Sequence, residues 1–311
     1  MTGKPNNQFV IGVDGGATKT HVVLADLDGK IVTETVLGPA SPRDPGVKVS
    51  CRNIADGIRQ VLKNNVDAKI VSTLIGMPRI QEEYKNRRAE IIEELKRNVG
   101  VENIFAGKVA IESDQIMTLR AGTDVMKGLA VIVGSGFSSH GWNGGKEAKI
   151  GGWGWLVSVG SGRWIGKEVY RHIVEAIDGR GPKTNLQEFL FKKFNLKNVD
   201  EFIDFIYEDP AVNLPKFSIV CDEAAIAGDA VSREILANAG KEIARSVIIT
   251  AKQLDFNDGK IQTVIAGGVF NSNFFYDAFI DGLKKESKLN FLLIRCEAPV
   301  IGAVKMAIDN I

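Results

Sequence analysis

The chain of 311 residues is 44% apolar and 25% charged, and its 39 Lys and Arg residues are balanced by 38 Asp and Glu residues. A single hydrophobic core rarely grows past about 250–300 residues, so this length favours two domains. A net charge of +1 gives no electrostatic reason to expect a nucleic acid or an anionic membrane as a partner.

Cysteine usage and hydropathy favour a cytoplasmic protein. Cys51, Cys221 and Cys296 are too far apart for a disulfide framework or for the paired spacing of a zinc site. Residues 1–8 lack the apolar core of a signal peptide, and apolar runs such as Leu129–Val133 are too short to span a bilayer. We therefore expect the chain to act in the reducing cytoplasm without a membrane partner.

Turn residues divide the first part of the chain into short apolar runs. Phe9–Asp14, Thr20–Asp26 and Ile31–Val36 are separated by Gly15-Gly16 and by a turn at residues 26–29, which predicts antiparallel hairpins. Helical and strand patterns then alternate in the order helix Val49–Asn64, strand Ile70–Ile75, helix Gln81–Asn98 and strand Lys108–Glu112.

A weak internal repeat of this first segment begins with a strand at Leu129–Val133. It continues with Gly134-Ser135-Gly136 and a strand at Phe137–Trp142. The remaining patterns predict helices Trp164–Ile177, Leu186–Phe194, Val199–Tyr207 and Asp222–Gln253, strand Gln262–Ala266, helix Ser272–Lys284, strand Asn290–Ile294 and helix Val300–Asn310.

The turn Asp14-Gly15-Gly16-Ala17-Thr18-Lys19-Thr20 joins two predicted strands, so its backbone N–H groups could form a nest for phosphate oxygens. Thr18 and Thr20 add hydroxyl donors, Lys19 adds a positive charge, and Asp14 is placed to hold Mg²⁺ through water. It is not a P-loop, because Gly-Lys-Ser/Thr and a following helix are missing. The alternative is an ordinary Gly-Gly hairpin whose polar side chains face solvent.

Further motifs follow this turn in a characteristic order. They are Glu112-Ser113-Asp114-Gln115 with Ala121-Gly122, Val133-Gly134-Ser135-Gly136, Gly151-Gly152-Trp153-Gly154 with Gly160-Ser161-Gly162, Ala266-Gly267-Gly268-Val269-Phe270-Asn271, and Pro299-Val300-Ile301-Gly302-Ala303. Nearly end to end, the chain resembles the actin-like ATPase and sugar kinase superfamily. Within it, the chain is most similar to the group that unites N-acetylglucosamine kinases with the ATPases that activate benzoyl-CoA reductase and 2-hydroxyglutaryl-CoA dehydratase.

The resemblance implies a role for each motif. Asp114 would be the general base that accepts the proton of the attacking hydroxyl, although a residue that follows a strand and opens a helix could equally be a helix N-cap. The second phosphate motif would be Gly134, Ser135 and Gly136. Gly267, Gly268 and Asn271 would contact adenosine, the alternative being a tight strand-to-helix turn without a ligand.

The acceptor side departs from the family pattern. The family's Gly-Pro-Ala-Asn is here Gly38-Pro39-Ala40-Ser41, and an Asp-Glu pair expected before Gly160-Ser161 is replaced by the shorter segment Trp155-Leu156-Val157-Ser158-Val159. Loss of a carboxylate that hydrogen-bonds hydroxyl groups weakens discrimination for them. We predict acceptor contacts for Ser41, Gly152, Trp153 and Gly154, with core packing as the default role of the tryptophans.

We therefore predict an α/β chain with a two-lobed actin-like ATPase (ribonuclease H-like) fold and a deep interdomain cleft. One lobe would comprise residues 1–119 and 298–311, the other residues 120–297. The predicted function is a kinase that uses ATP and Mg²⁺ to phosphorylate a hydroxyl of a hexose, amino sugar or N-acetylated sugar. The alternatives are an activating ATPase of a dehydratase or reductase and a non-catalytic sugar or nucleotide sensor. The resemblance also implies a homodimer.

Overall fold

The computed structural model describes residues 7–16, 18–78, 80, 87–98, 100–256, 259–296 and 298–311; the side chains of Asp44 and Trp155, together with Ala17, lie outside this description. The chain divides into two compact units, residues 1–126 with 295–311 and residues 127–294. The fold class is α/β with two lobes, as predicted.

The first unit contains a five-stranded sheet. Its strands are β1 Gln8–Gly15, β2 Thr20–Asp26, β3 Ile31–Leu37, β4 Lys69–Met77 and β5 Lys108–Ser113. Their order is β3-β2-β1-β4-β5; β1 is antiparallel to β2 and parallel to β4, and β4 is parallel to β5. The two predicted hairpins are confirmed, and the second turn is held by Asp26, whose carboxylate accepts the N–H groups of Asp28 and Lys30.

Helices cover both faces of this sheet. They are α1 Val47–Leu62, α2 Arg88–Lys96, α3 Asp114–Gly122 and the closing helix α11 Pro299–Asp309. One apolar cluster lies under α1 and α2, and a second includes Met117 of α3 and Val300 of α11. Gly302 lets α11 approach α3, because a Cβ there would lie 1.9 Å from the carbonyl oxygen of Met117. The start of the predicted helix at 81–98 lies outside the described residues.

The second unit repeats the sheet of the first. Its strands are β6 Gly128–Val133, β7 Phe137–Asn143, β8 Lys146–Gly151, β9 Lys260–Ala266 and β10 Asn290–Arg295, in the order β10-β9-β6-β7-β8. An antiparallel meander of three strands again leads to a strand parallel to the first one. The weak internal repeat in the sequence therefore corresponds to a duplicated sheet topology. The polar edge strand β8 was not predicted.

The helices of the second unit form one large apolar core with its sheet. They are α4 Gly162–Ile177, α5 Leu186–Phe194, α6 Val199–Glu208, the short α7 Pro210–Asn213, α8 Phe217–Ile226, α9 Ala230–Gln253 and α10 Asn273–Lys284. The single helix predicted over Asp222–Gln253 is wrong, because α8 ends before Gly228, which has φ +102°. Asp229 then caps α9 by accepting the N–H and hydroxyl of Ser232, both at 2.7 Å.

Among the residues that the structure describes, every helix is too short or too polar to span a lipid bilayer.

Candidate nucleotide and phosphoryl-transfer site

Two predicted carboxylates meet at one edge of the first sheet. Asp14 is the next-to-last residue of β1 and pairs with Gly76 of β4, which in turn pairs with Glu112 of β5. Asp114 lies two residues beyond Glu112, as the first residue of α3. The carboxyl ends of parallel strands share an edge, so Asp14 and Asp114 lie near each other. Burial is the main cause that raises the pKa of Asp114, and the charge of Asp14 raises it further.

Packing of α3 over β4 holds Asp114 in place. Ser113 is the N-cap of α3, since its hydroxyl oxygen accepts the N–H of Ile116 at 3.3 Å. The alternative in which Asp114 caps the helix is therefore wrong. A Cβ on Gly76 would lie 1.7 Å from Cε of Met117, so the side chain of Met117 packs over β4 in the space that the glycine leaves open. Gly76 and Met117 were not singled out from the sequence, where they read as ordinary strand and helix residues.

The environment of Asp114 suits a proton acceptor. Within the described part of the chain, its Oδ1 is buried and has no hydrogen-bond partner. Burial raises the pKa of Asp114 to about 7, and the negative charge of Asp14 adds to the effect. A carboxylate with a pKa near neutrality can exchange a proton at the pH of the cell.

Asp14 has oxygen chemistry that fits Mg²⁺. Burial raises its pKa, while the charges of His21 and Lys19 act in the opposite direction. Mg²⁺ is usually held by one or two carboxylates together with waters and phosphate oxygens, so it needs no cluster of three protein ligands. No such cluster of His, Cys, Asp or Glu occurs among the residues that the structure describes. The carboxylate of Asp14 therefore fits the metal that the family resemblance implies.

The predicted phosphate hairpin is a tight turn between β1 and β2. The N–H of Gly16 donates to the carbonyl of Lys19 at 2.8 Å. Gly15 has no room for a side chain, since a Cβ would lie 2.9 Å from the carbonyl oxygen of Gly76. Thr18 and Lys19 are exposed at the turn. Thr20 is fully buried and its hydroxyl donates to the carbonyl of Gly38 at 2.7 Å, so that hydroxyl holds the hairpin.

The loop that contains Ser41 is tied to this hairpin. The N–H of Ala40 donates to the carbonyl of Gly16 at 2.9 Å, and the amide of Asn53 donates to the carbonyl of Pro39 at 2.7 Å. Ser41 is buried, and its carbonyl accepts the hydroxyl of Ser50 at 2.9 Å. The structure thus brings the predicted acceptor residue Ser41 to the predicted phosphate turn.

In the second unit, the turn Gly134-Ser135-Gly136 lies against the start of α4. Within the turn, the N–H of Gly134 donates to the carbonyl of Gly136 at 2.9 Å. The first N–H groups of α4 close onto it, with Gly162 donating to Gly134 at 2.8 Å and Arg163 donating to Ser135 at 3.3 Å. The predicted second phosphate motif and the Gly160-Ser161-Gly162 motif are therefore one structural unit.

The predicted adenosine motif lies against the same turn. Gly267 has φ +105°, and a Cβ on it would lie 2.2 Å from the carbonyl oxygen of Val133. The next residue, Gly268, is exposed and opens a single helical turn that ends at Asn271. Apart from each glycine and its two chain neighbours, no described atom lies within 4 Å of the Cβ positions of Gly134 and Gly268. Bare backbone therefore faces open space on both sides of this contact, which suits a nucleotide.

The glycine-rich segment on the acceptor side follows β8. Gly152 and Gly154 have φ +79° and +111°, and Trp153 between them is 77% exposed. Trp142, by contrast, is buried in the sheet and stacks on His140 with ring centroids 4.1 Å apart. The default expectation of core packing therefore holds for Trp142 and fails for Trp153.

Ser158 is a candidate site residue that was not singled out as a ligand from the sequence. It is 9% exposed, and its Oγ has no hydrogen-bond partner within the described ranges. That Oγ lies 3.9 Å from the Cβ position of Gly136 in the phosphate turn. The only sequence signal was its place in the segment that replaces the expected Asp-Glu pair.

This duplicated fold, with a carboxylate pair at one sheet edge and glycine turns at the other sheet, defines an actin-like α/β ATPase. The chain belongs to the BadF/BadG/BcrA/BcrD ATPase family, whose model matches residues 11–307.

Similar proteins fall in the same class. An N-acetylmuramic acid/N-acetylglucosamine kinase of Clostridium acetobutylicum is 30% identical, over 88% of this chain and 89% of its own. An N-acetyl-D-glucosamine kinase of Dictyostelium discoideum is 28% identical, over 85% of this chain and 86% of its own. Among solved structures, a glucokinase of Streptomyces griseus in complex with glucose and AMPPNP has a TM-score of 0.64 and 14% identity, covering 96% of this chain and 99% of its own.

Proposed function

We propose that this protein is an ATP-dependent phosphotransferase that transfers the γ-phosphate to a hydroxyl of a hexose, an amino sugar or an N-acetylated sugar. The observation that carries the proposal is Asp114, a carboxylate that follows a strand end. Its Oδ1 is buried without a hydrogen-bond partner among the described residues, and burial raises its pKa to about 7. The names of the two curated relatives, both sugar kinases, support the same reaction.

Asp114 would orient the attacking hydroxyl and accept its proton as the bond to phosphorus forms. Its buried position favours this role, because a carboxyl group that is only partly ionised near pH 7 takes up a proton readily. Ser41, Gly152, Trp153 and Gly154 would line the acceptor. Of these, Ser41 is tied to the phosphate hairpin through Ala40, and Trp153 offers an exposed aromatic face on which a sugar ring could stack.

ATP would be held by backbone and small side chains. The proposed contacts to phosphate are Gly15, Gly16, Thr18, Lys19, Thr20, Gly134, Ser135 and Gly136, and those to adenosine are Gly267, Gly268 and Asn271. Thr20 has the weakest support, because its hydroxyl already donates to Gly38. Asp14 would hold Mg²⁺ through water, and the metal would neutralise charge on the phosphate oxygens.

We also propose that the protein acts in the cytoplasm and forms a homodimer. The cytoplasmic assignment is supported by Cys51 and Cys221, which are buried and form no disulfide. Burial raises the pKa of Cys51 to about 12, so its thiol stays protonated and unreactive. The dimer rests on the family resemblance alone, and sedimentation of the purified protein tests it.

The decisive experiment is ADP formation with MgATP and a panel of hexoses, hexosamines, N-acetylated sugars and muramic derivatives. We expect at least one acceptor to be phosphorylated by the wild type, and Asp114→Asn to retain ATP binding while losing turnover. Absence of phosphorylation with every acceptor would refute the proposal. Sugar and nucleotide binding without product would then identify a sensor, and acceptor-independent ATP hydrolysis would favour an activating ATPase.

A further inference from the structure

The segment that leads into α4 exposes several large apolar side chains. Trp153, Leu156, Val157 and Val159 are 77%, 76%, 64% and 42% exposed. We call residues 153–159 the apolar segment. Residues 150–162 contain no charged side chain. Contiguous exposed apolar groups on a folded protein mark a place where something binds.

Ser158 connects this segment to the phosphate turn. Its carbonyl accepts the hydroxyl of Ser161 at 2.7 Å and the N–H of Ser161 at 3.3 Å, which fixes it at the start of α4. Its own hydroxyl is buried beside Gly136 without a partner among the described residues. A buried hydroxyl without a partner is unfavourable unless a ligand supplies the missing hydrogen bond.

The neighbours of Ser158 indicate the chemistry of that ligand. Leu156 and Val157 precede it and Val159 follows it, so a molecule that reaches Ser158 also covers apolar surface. A second copy of this chain is a poorer occupant, because a stable interface takes about 20–30 residues from each partner and the segment has only seven. The position of the Ser158 hydroxyl, 3.9 Å from the Cβ position of Gly136 in the phosphate turn, favours a small molecule that is bound there.

We propose that the phosphoryl acceptor carries an apolar substituent larger than acetyl, which packs on Leu156 and Val157 while a polar group of the acceptor bonds to the hydroxyl of Ser158. This rests on the proposed kinase function and narrows its substrate class. Burial of each further methylene then raises kcat/KM about fourfold until the apolar segment is covered.

The test uses glucosamine N-acylated with acetyl, propanoyl, butanoyl or hexanoyl groups, and kcat/KM is measured for each from ADP formation. For the wild type, we expect kcat/KM to increase with the length of the acyl group. In Leu156→Ser and in Val157→Thr, kcat/KM should no longer depend on acyl length. Val66→Thr is the matched control, because Val66 is 80% exposed in the first unit and the substitution is the same. It should preserve the wild-type dependence on acyl length.

Ser158→Ala separates the two contacts. It should lower kcat/KM by the same factor for every acyl length, because it removes a hydrogen bond and leaves the apolar surface intact. Equal kcat/KM for all acyl lengths in the wild type, or an unchanged dependence in Leu156→Ser, would overturn the inference. So would dissociation of a dimer by Leu156→Ser in sedimentation, which would identify the segment as a subunit contact.

Failure of the kinase function itself gives a different result. If no acceptor supports ADP formation, the same acylated series is titrated by calorimetry in the presence of ATP. Affinity that increases with acyl length and weakens in Val157→Thr supports the apolar contact without catalysis. Affinity that does not depend on acyl length refutes it.

Discussion

Replacement of Asp114 by Asn should abolish phosphoryl transfer and at the same time stabilise the protein above neutral pH. Asn has nearly the same shape as Asp but cannot ionise, so it removes both the proton acceptor and the cost of a buried negative charge. Loss of a general base lowers kcat by about 10²- to 10⁴-fold. The gain in stability follows from the raised pKa of Asp114.

The size of the expected stabilisation follows from the difference between the pKa of the Asp114 carboxyl in the folded chain and its pKa in the unfolded chain. In the folded protein the pKa of Asp114 is about 7, against a usual value of 3.8. Between these two values the folded state keeps a proton that the unfolded state has lost, so the free energy of unfolding falls as pH rises. The free energy of unfolding of the wild type falls by about 1.4 kcal/mol per pH unit in this range. The fall levels off above pH 7, at a total of up to about 4 kcal/mol.

The assay compares the free energies of unfolding of the wild type and Asp114→Asn by urea denaturation from pH 4 to pH 8, without nucleotide or Mg²⁺. The two proteins should be of similar stability at pH 4, and the variant should be the more stable by a few kcal/mol at pH 8. Asp67→Asn is the control, since Asp67 is exposed in the same unit and the chemical change is identical.

A variant that is no more stable than the wild type at pH 8 would refute the burial argument. A stability difference between Asp114→Asn and the wild type that does not change with pH would also refute it, because the ionisation of Asp114 should make that difference pH-dependent. If Asp114→Asn keeps wild-type turnover with an identified acceptor, the general-base assignment is wrong whatever its stability.

Other predictions follow from the same site. The kcat/KM for the acceptor should rise about tenfold per pH unit up to about pH 7, where Asp114 becomes ionised. The midpoint of this rise should move to lower pH as the Mg²⁺ concentration increases. A kcat/KM that does not change between pH 5.5 and 7 would contradict this. Gly267→Ala should cost at least about 3 kcal/mol of stability, because its φ is +105° and a Cβ would lie 2.2 Å from a carbonyl oxygen. Gly179→Ala, at φ +74° with open space around it, should cost only about 1–2 kcal/mol, and equal losses would argue against the packing explanation. Thr18→Val should raise the KM for ATP about tenfold, whereas Thr20→Val should instead lower the free energy of unfolding by about 1–3 kcal/mol; kinetics and denaturation of both variants distinguish the roles.

Local sequence patterns were sufficient for most elements of this fold. The spacing of Gly15-Gly16 and of the turn at 26–29 predicted the first meander, because hairpin turns depend on a few adjacent residues. Edge strand β8 was missed, since Lys146, Glu147 and Lys149 make it mostly polar, and only Ala148 and Ile150 pack against the core. The break between α8 and α9 was also missed, because a lone glycine inside a helical pattern is ambiguous until its φ is known.

The sequence by itself determined the family, the order of the motifs and the two carboxylates, because these depend on residue types at short spacing. Only the tertiary structure decided which groups are free to act. It placed Asp114 after the cap residue, with Oδ1 buried and unpartnered within the described part of the chain. It also used the hydroxyl of Thr20 in a hydrogen bond to Gly38 and brought Gly267 against the turn at Gly134. It also buried the hydroxyl of Ser158 beside that turn. Burial and hydrogen-bond partners come from segments far apart in the chain, and no local pattern carries that information.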